Sequence, residues 1–171
     1  ELTPQNRRFN TAILVDRNGG IVGKYRKIHL PGHAERKPDA PFQHLEKKFF
    51  DVGDLGFRVF GMERTRIGMC ICNDRRWPET FRVLSLQSAE LAVLGYNTPS
   101  QNIHWNEPPH LRMFTHLLTL QAGAYQNALW IGAAAKCGAE DGYHMIGGSI
   151  IAAPTGEIVA QSTSEDDEVI A

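Results

Sequence analysis

A chain of 171 residues with 42% hydrophobic and 22% charged residues is long enough for one globular domain with its own core. The formal net charge of −1 argues against a dedicated nucleic-acid-binding protein, and no apolar run approaches the roughly 18–20 residues that span a membrane. Three cysteines, an odd number, do not suggest a disulfide framework, so we expect a reducing, cytoplasmic setting.

The two ends of the chain resemble cuts in a longer sequence. Glu1 opens a polar stretch that has no initiator Met and no signal peptide. The last residues, 168–171, resemble a strand that stops early. We therefore expect one domain, residues 1–171, truncated at both ends.

The first predicted elements form a β-hairpin. Residues 10–16 and 21–25 are its strands. Asn18-Gly19 between them supplies two residues that tolerate positive φ, which is the strongest short-range signal for a hairpin turn.

The next strong element is a buried strand predicted at 65–72, which ends at Cys72. Asn73-Asp74 follow at once and favour a turn, and Pro78 fits the first position of a helix. This helix and the strand after it make a βαβ unit, whose strands are parallel. Catalytic groups gather at the carboxyl ends of such strands, so Cys72 is a candidate for chemistry.

The remaining pattern completes an α/β fold with parallel central strands and hairpins beside them. The other predicted elements are a long polar loop at 33–50 with Pro38 and Pro41, a short strand at 57–60, a helix at 78–88, a strand at 91–96, a loop at 100–109, a helix at 110–127, a strand at 128–134, a loop at 138–144 and a hairpin of 149–152 with 157–160.

Cys72 is a candidate nucleophile. Arg75 and Arg76 follow it and a helix begins close by, and both features favour the thiolate form. A buried cysteine is most often a small hydrophobic core residue, which is our interpretation of Cys70 and Cys137. From these residues alone, both interpretations of Cys72 stay open.

Lys27 is a candidate electrostatic partner. Alternate residues of a strand face the same way, so Lys27 shares a side with Tyr25. A lysine aimed into a pocket can stabilise a developing oxyanion. An isolated lysine near a strand end is usually solvated, so this alternative stays open too.

Seven histidines raise the question of a metal site. No two of them form a His-x-x-x-His pair with a helical Glu, and a Pro-Gly turn separates His29 from His33. Cys70-x-Cys72 has the two-residue period of a strand, and a redox Cys-x-x-Cys pair is absent. We therefore expect neither a metal nor another cofactor.

Three segments together resemble motifs of the nitrilase superfamily of carbon–nitrogen hydrolases: KYRKIHLP at 24–31, CNDRRWPE at 72–79 and GSIIAAPTGEIV at 148–159. The resemblance implies a four-layer α-β-β-α sandwich, present here as an incomplete fragment, and a Glu-Lys-Cys triad. Lys27 matches the triad lysine and Cys72 the nucleophile, and Glu46 resembles a second glutamate near the triad. The general-base glutamate has no matching position in this chain, so we expect the fragment alone to be inactive.

Within the superfamily, the chain is most similar to the enzymes that hydrolyse N-carbamoyl-D-amino acids. Segments 42–47, 73–79 and 95–99 carry this similarity. It implies a small N-carbamoyl amino acid as the partner, with no nucleic acid or membrane, and a homo-oligomer in the full-length protein. The residues we assign to the substrate are Arg75, Arg76, Asn73, Asn97, Thr98, His29 and His44.

Two other functions stay open. One is another amidase of the superfamily, such as a ureidopropionase-like or carbamoylputrescine-type enzyme, which a test for the substrate α-carboxylate would separate. The other is a catalytically silent homologue or fragment that only binds or assembles, and the unmatched general base supports it.

Overall fold

A six-stranded mixed sheet forms the centre of the fold in the computed structural model, which describes residues 1–40, 42–101 and 107–171. The strands are β1 (Thr11–Val15), β2 (Ile21–Arg26), β3 (Val59–Met62), β4 (Thr65–Ile71), β5 (Leu91–Tyr96), β6 (Trp130–Ala135), β7 (Ala139–Glu140), β8 (Tyr143–His144), β9 (Ile150–Ala152) and β10 (Ile158–Gln161). The helices are α1 (Glu46–Phe49), α2 (Pro78–Leu86) and α3 (Pro109–Asn127), and a 3-10 turn spans Cys72–Arg76.

The order of strands in the large sheet is β10-β9-β6-β5-β4-β3. The central three, β4, β5 and β6, are parallel, which confirms the predicted βαβ unit. Ile71 pairs with Gly95, so the carboxyl ends of β4 and β5 lie side by side. The outer strands β3, β9 and β10 run antiparallel to their neighbours, and β9 with β10 forms the second predicted hairpin.

Opposite faces of this sheet are covered by different elements. Gly68 faces α2, since a Cβ there would meet the Leu84 side chain at 2.7 Å. Its neighbour Ile67 faces the other way and pairs with Phe60 on the adjacent strand. The Phe60 ring lies close to Gly23 of β2, since a Cβ on Gly23 would meet this ring at 2.8 Å. The β1–β2 hairpin therefore packs on the face opposite the helices. The described residues form a helix layer, a sheet layer and a hairpin layer in that order, which confirms the α/β fold.

Two predicted loops contain regular structure. The helix α1 lies within 33–50, and the β7–β8 hairpin lies within 138–144. The four-residue α1 is too short to show a helical period, and its Glu46 is paired with the distant Lys27. The β7–β8 turn has positive φ at Asp141 and Gly142, which fits the Asp-Gly hairpin preference. Pro41 and residues 102–106, parts of two predicted loops, lie outside the described residues.

The ends of several elements differ from the prediction by one or two residues. The helix predicted at 110–127 begins at Pro109, and the strand predicted at 128–134 begins at Trp130. Ala128 explains the second difference, because its φ of +52° ends α3 in a left-handed cap. Among the described residues, no helix is both long enough and apolar enough to cross a membrane.

Candidate active site

Cys72 lies on a sharp turn at the carboxyl end of β4. Its φ is +47°, in the left-handed region that residues other than glycine adopt rarely, and it starts the 3-10 turn of residues 72–76, hereafter the Cys72 turn. Such a conformation costs roughly 1–3 kcal/mol and persists only where surrounding contacts impose it. The half-buried thiol lies 3.9 Å from the Thr98 hydroxyl at the end of β5.

The Asp74 side chain anchors the Cys72 turn through several buried hydrogen bonds. Its Oδ2 accepts hydrogen bonds from the Ile71 amide at 2.8 Å and the Tyr25 hydroxyl at 2.7 Å. Its Oδ1 accepts from the His29 amide and lies 2.9 Å from His29 Nδ1. Asp74 is fully buried, and burial together with its charge raises the pKa of Tyr25. One carboxylate thus ties the Cys72 turn to the β1–β2 hairpin.

The Arg75 side chain folds back against Cys72 within the Cys72 turn. It is 1% exposed, and its Nη1 donates to the carbonyl oxygen of Cys72 at 2.7 Å and lies 3.8 Å from the sulfur. Nη2 donates to Thr98 Oγ1 at 3.1 Å, and Nε donates to His116 Nδ1 at 3.0 Å. In a 3-10 turn residues three apart lie on the same side, which explains why Arg75 contacts Cys72.

His116, in α3, continues this buried network. Its Nε2 lies 2.9 Å from the Tyr96 hydroxyl, which in turn donates to the Gly148 carbonyl at 2.8 Å. Burial, with the charge of Arg75 adding to it, lowers the pKa of His116 to about 4. The imidazole is therefore neutral at neutral pH. Burial also raises the pKa of Tyr96.

Lys27 follows the end of β2 and is 2% exposed. Its Nζ donates to both carboxylate oxygens of Glu46, at 2.7 and 2.8 Å. Asn10 Nδ2 donates to the same carboxylate at 2.9 Å. Glu46 therefore fixes the ammonium of Lys27 with two charge-assisted hydrogen bonds.

A cavity of about 1310 Å³ brings most of the sequence-predicted site residues together. Its lining includes Lys27, His44, Glu46, Cys72, Asn73, Arg75, Arg76, Asn97 and Thr98. Of the ten predicted site residues only His29 is missing from this lining. The His29 ring lies outside the lining of this cavity. It contacts Asp74 and stacks on Trp77, with ring centroids 5.3 Å apart.

Arg76 lies in the cavity wall close to Cys72 in sequence, and its guanidinium is available. It forms no hydrogen bond or ion pair with any residue that the structure describes, in contrast to Arg75. Burial, with the charges of Arg75 and Arg112 adding to it, lowers the pKa of Arg76 to about 10. It therefore stays protonated at neutral pH, so the wall beside Cys72 carries a free positive charge.

The other predicted substrate ligands lie around the same cavity with partners of their own. Asn97 Nδ2 donates to Glu140 at 3.2 Å, and Asn73 Nδ2 donates to the His29 carbonyl at 3.1 Å. The backbone oxygen of His44 accepts from the His33 amide at 2.9 Å. These contacts fix the side walls of the cavity.

Sequence reasoning missed two organising residues. The sequence predicts Asp74 only as a turn former, although it stands two residues after a candidate nucleophile. His116 was not assigned, although its spacing from Met113 and Leu120 places it on the apolar face of α3. A histidine on such a face needs a buried partner. In the described part of the chain, no group of three or more His, Cys, Asp or Glu side chains is arranged to hold a metal ion.

Comparison with known proteins agrees with this geometry. Residues 2–171 match the family model described as carbon-nitrogen hydrolase. A nitrilase of Pyrococcus abyssi is 32% identical over 161 residues, which cover 94% of this chain and 52% of that protein. The N-carbamoylputrescine amidase of Oryza sativa subsp. japonica is 31% identical over 173 residues, 96% of this chain and 54% of that protein.

Solved structures show the same likeness. The crystal structure of a carbon-nitrogen hydrolase from Helicobacter pylori G27 aligns with a TM-score of 0.78 and 25% identity, covering 95% of this chain and 55% of that one. This chain thus spans about half the length of the relatives it matches. The family match over nearly every residue, with Lys27, Glu46 and Cys72 gathered in one cavity, shows that the chain belongs to the carbon-nitrogen hydrolase family, the nitrilase superfamily.

Proposed function

We propose that the protein containing this chain hydrolyses N-carbamoyl-D-amino acids to D-amino acid, carbon dioxide and ammonia. Membership of the carbon-nitrogen hydrolase family supports cleavage of a carbon–nitrogen bond. Cys72 is the nucleophile of this reaction, and Lys27 and Glu46 complete its charged surroundings. The preference for the D enantiomer rests on the sequence resemblance described above.

The observation that carries the proposed substrate is the free guanidinium of Arg76 in the wall of the Cys72 cavity. An N-carbamoyl amino acid has a carboxylate two bonds from the ureido nitrogen. Arginine is the side chain best suited to bind a carboxylate, because its planar N–H groups match two oxygens. Arg75 is a weaker candidate for this contact, since three of its nitrogens already donate to protein acceptors.

The first half of the reaction is attack by the Cys72 sulfur on the ureido carbonyl. A carbon–sulfur bond forms, and the oxyanion is stabilised by the Lys27 ammonium and a backbone N–H near Asn73. Removing one such donor typically costs about 2.7–4 kcal/mol in the transition state. Collapse of the intermediate breaks the bond to the terminal nitrogen, and ammonia leaves with a proton from the general-base glutamate that the superfamily resemblance implies.

The second half regenerates the thiol. Water, activated by the same carboxylate, attacks the carbamoyl thioester and displaces the Cys72 sulfur. The released carbamate decomposes to carbon dioxide and the amino acid. Throughout the cycle Glu46 holds the Lys27 ammonium through its two hydrogen bonds.

A carbamoylputrescine-type amidase is the second candidate. Its substrate ends in an ammonium group instead of a carboxylate. Glu140 and Asp141 also line the cavity and favour such a cation. Glu140, however, is already paired with Lys136 at 2.8 Å, which weakens this alternative.

The test uses the whole protein and four matched compounds. These are N-carbamoyl-D-valine, its L enantiomer, its uncharged carboxamide and N-carbamoylputrescine, with release of ammonia and of carbon dioxide as the measurement, because in the carboxamide only carbon dioxide reports cleavage of the ureido group. We expect kcat/KM to be highest for the D acid. Faster turnover of N-carbamoylputrescine or of the carboxamide would contradict the proposed substrate. Ammonia release that persists in Cys72→Ala would contradict the nucleophile assignment, and no release from any compound would favour a silent homologue.

A further inference from the structure

The buried histidine of α3 has no part in the mechanism so far. We propose that His116 is a positioning residue that fixes the Cys72 nucleophile through the guanidinium of Arg75. This inference rests on the proposed role of Cys72, but it does not depend on which compound is the substrate.

The direction of each hydrogen bond in the network can be deduced. Arginine only donates, so His116 Nδ1 is the acceptor of the 3.0 Å bond from Arg75 Nε. The neutral ring then carries its proton on Nε2, which faces the Tyr96 hydroxyl at 2.9 Å. Tyr96 donates onward to the Gly148 carbonyl at 2.8 Å. The network therefore has one consistent direction, which starts at Arg75 and ends on the backbone.

The other end of the guanidinium acts on Cys72. A guanidinium is planar, so a hydrogen bond at Nε fixes the direction of both terminal nitrogens. Nη1 holds the Cys72 carbonyl at 2.7 Å and lies 3.8 Å from the sulfur. Because Cys72 has a φ of +47°, its conformation persists only where side-chain contacts impose it. Arg75 supplies that contact, and His116, together with Thr98 at Nη2, fixes the orientation of its guanidinium.

Burial makes the arrangement hard to replace. His116 and Arg75 are each 1% exposed, so the imidazole, and not bulk water, is the acceptor of the Arg75 Nε–H. The charged groups that bear on His116 are Arg75 in contact and Arg76 farther away, and both are cations. A neutral acceptor at the Nδ1 position is therefore the feature that this site requires.

Two polar substitutions separate positioning from packing. In His116→Asn the side-chain oxygen can occupy the place of Nδ1 and accept from Arg75. In His116→Gln the amide instead reaches the place of Nε2, which retains contact with Tyr96 and leaves the Nε–H of Arg75 without an acceptor, while Nη1 and Nη2 keep theirs. Leu120→Ala is the matched control, because Leu120 lies one turn farther along α3 and is 0% exposed.

The main measurement is the rate at which iodoacetamide alkylates Cys72 in the whole protein, followed by mass spectrometry of the Cys72 peptide. Cys137, a free and partly exposed thiol, is the internal reference. We expect the rate at Cys72 to fall roughly 10- to 100-fold in His116→Gln, because small displacements of a reacting group have effects of that size. We expect His116→Asn to stay within about threefold of the wild type, on the same argument.

The alkylation rates at Cys72 in the three variants distinguish a positioning role of His116 from a packing role. Equal rates at Cys72 in the Asn and Gln variants, or a slower rate in the Asn variant, would overturn the proposal. Leu120→Ala is expected to lower the thermal midpoint and leave the rate at Cys72 unchanged. If its rate falls as far as in His116→Gln, reactivity follows stability and His116 has only a packing role.

Hydrolysis gives a second, independent readout. With N-carbamoyl-D-valine we expect His116→Gln to lower kcat and leave KM nearly unchanged, because Arg76 and the cavity walls remain in place. An increase in KM alone would contradict a positioning role. If the whole protein releases no ammonia from this compound but the alkylation difference is present, the proposed substrate fails and the positioning role stands.

Discussion

The hydroxyl of Tyr25 lies 2.7 Å from the carboxylate of Asp74, across 49 residues of sequence. Tyr25 belongs to β2, two residues before Lys27, and Asp74 lies two residues after Cys72. Asp74 also accepts the amide of His29, on the other side of Lys27. The candidate lysine and the candidate nucleophile are therefore held together through one buried carboxylate that is not among the described residues lining the cavity.

Removing that carboxylate should strongly destabilise the protein. Asp74→Ala leaves the Tyr25 hydroxyl and the Ile71 and His29 amides without acceptors in a buried site. We expect the free energy of unfolding, from urea titration, to fall by about 3–5 kcal/mol. The control is Asp54→Ala, which removes solvent-exposed ion pairs to Arg7 and Arg26 and should change the free energy of unfolding far less, because solvent screens such pairs. Similar losses in the two variants would show that the contacts of Asp74 carry little free energy.

Lys27 should matter for rate far more than for binding. In the whole protein, Lys27→Ala is expected to lower kcat by roughly 100- to 1000-fold, the usual effect of deleting one oxyanion donor, with a small change in KM. Lys24→Ala is the matched control, because Lys24 lies in the same hairpin with its side chain 40% exposed. A change in KM alone for Lys27→Ala would rule out the oxyanion role.

Stability should fall in mild acid because of His116. Burial and the charge of Arg75 lower the pKa of His116 from the ordinary 6.5 to about 4, so the folded state favours the neutral ring. Between these values the unfolded chain binds the proton and the folded chain does not. The stabilisation is therefore complete above pH 6.5 and is lost as the pH falls toward 4, by about 1.4 kcal/mol per pH unit.

The measurement is urea unfolding of the wild type and of His116→Asn at several pH values across this range. Carboxylates titrate in both proteins, so the difference between the two curves isolates the histidine. We expect the wild type to lose up to about 3 kcal/mol more than the variant between pH 7 and pH 4. Parallel curves would mean that His116 protonates equally well in the folded and unfolded states.

Arg76 should discriminate between charged and uncharged substrates. Arg76→Gln removes the free cation of the cavity wall, so we expect kcat/KM for N-carbamoyl-D-valine to fall by roughly 10- to 100-fold, the value of a charge-assisted hydrogen bond. Turnover of the uncharged carboxamide should change by about threefold or less, since that compound has no charge to pair. Arg82→Gln, an exposed cation of α2, is the control. Equal losses on acid and carboxamide would remove the carboxylate contact from the proposal.

The fold was predictable because its signals are local. The turn formers Asn18-Gly19 mark one hairpin, and the apolar runs that become β4, β5 and β6 mark the parallel centre. The site was predictable only where a residue stands at a strand end or in a recognisable motif, as Cys72 and Lys27 do. The sequence does not predict α1, because four residues are too few to show a helical period. The ion pair between Glu46 and Lys27 joins residues that are distant in sequence, so it gives no local signal either.

The difference between Arg75 and Arg76 illustrates what sequence reasoning lacks. The two are adjacent and chemically identical, and the family resemblance assigns both to the substrate. Both line the cavity, but the three-residue period of the Cys72 turn brings only Arg75 against Cys72, where its guanidinium is engaged by protein acceptors. The partner that engages Arg75, His116, is 41 residues away, and only the tertiary structure brings it there.

The positive φ of Cys72 creates a conflict between stability and activity at one position. The backbone conformation favours glycine, whereas the proposed reaction needs the sulfur. Glycine adopts this backbone conformation without penalty, whereas a side chain costs roughly 1–2 kcal/mol there. Cys72→Gly should therefore unfold at a higher temperature than the wild type while losing all activity. Directed evolution that selects for heat tolerance alone, without selecting for activity, should therefore enrich variants that replace Cys72 with glycine.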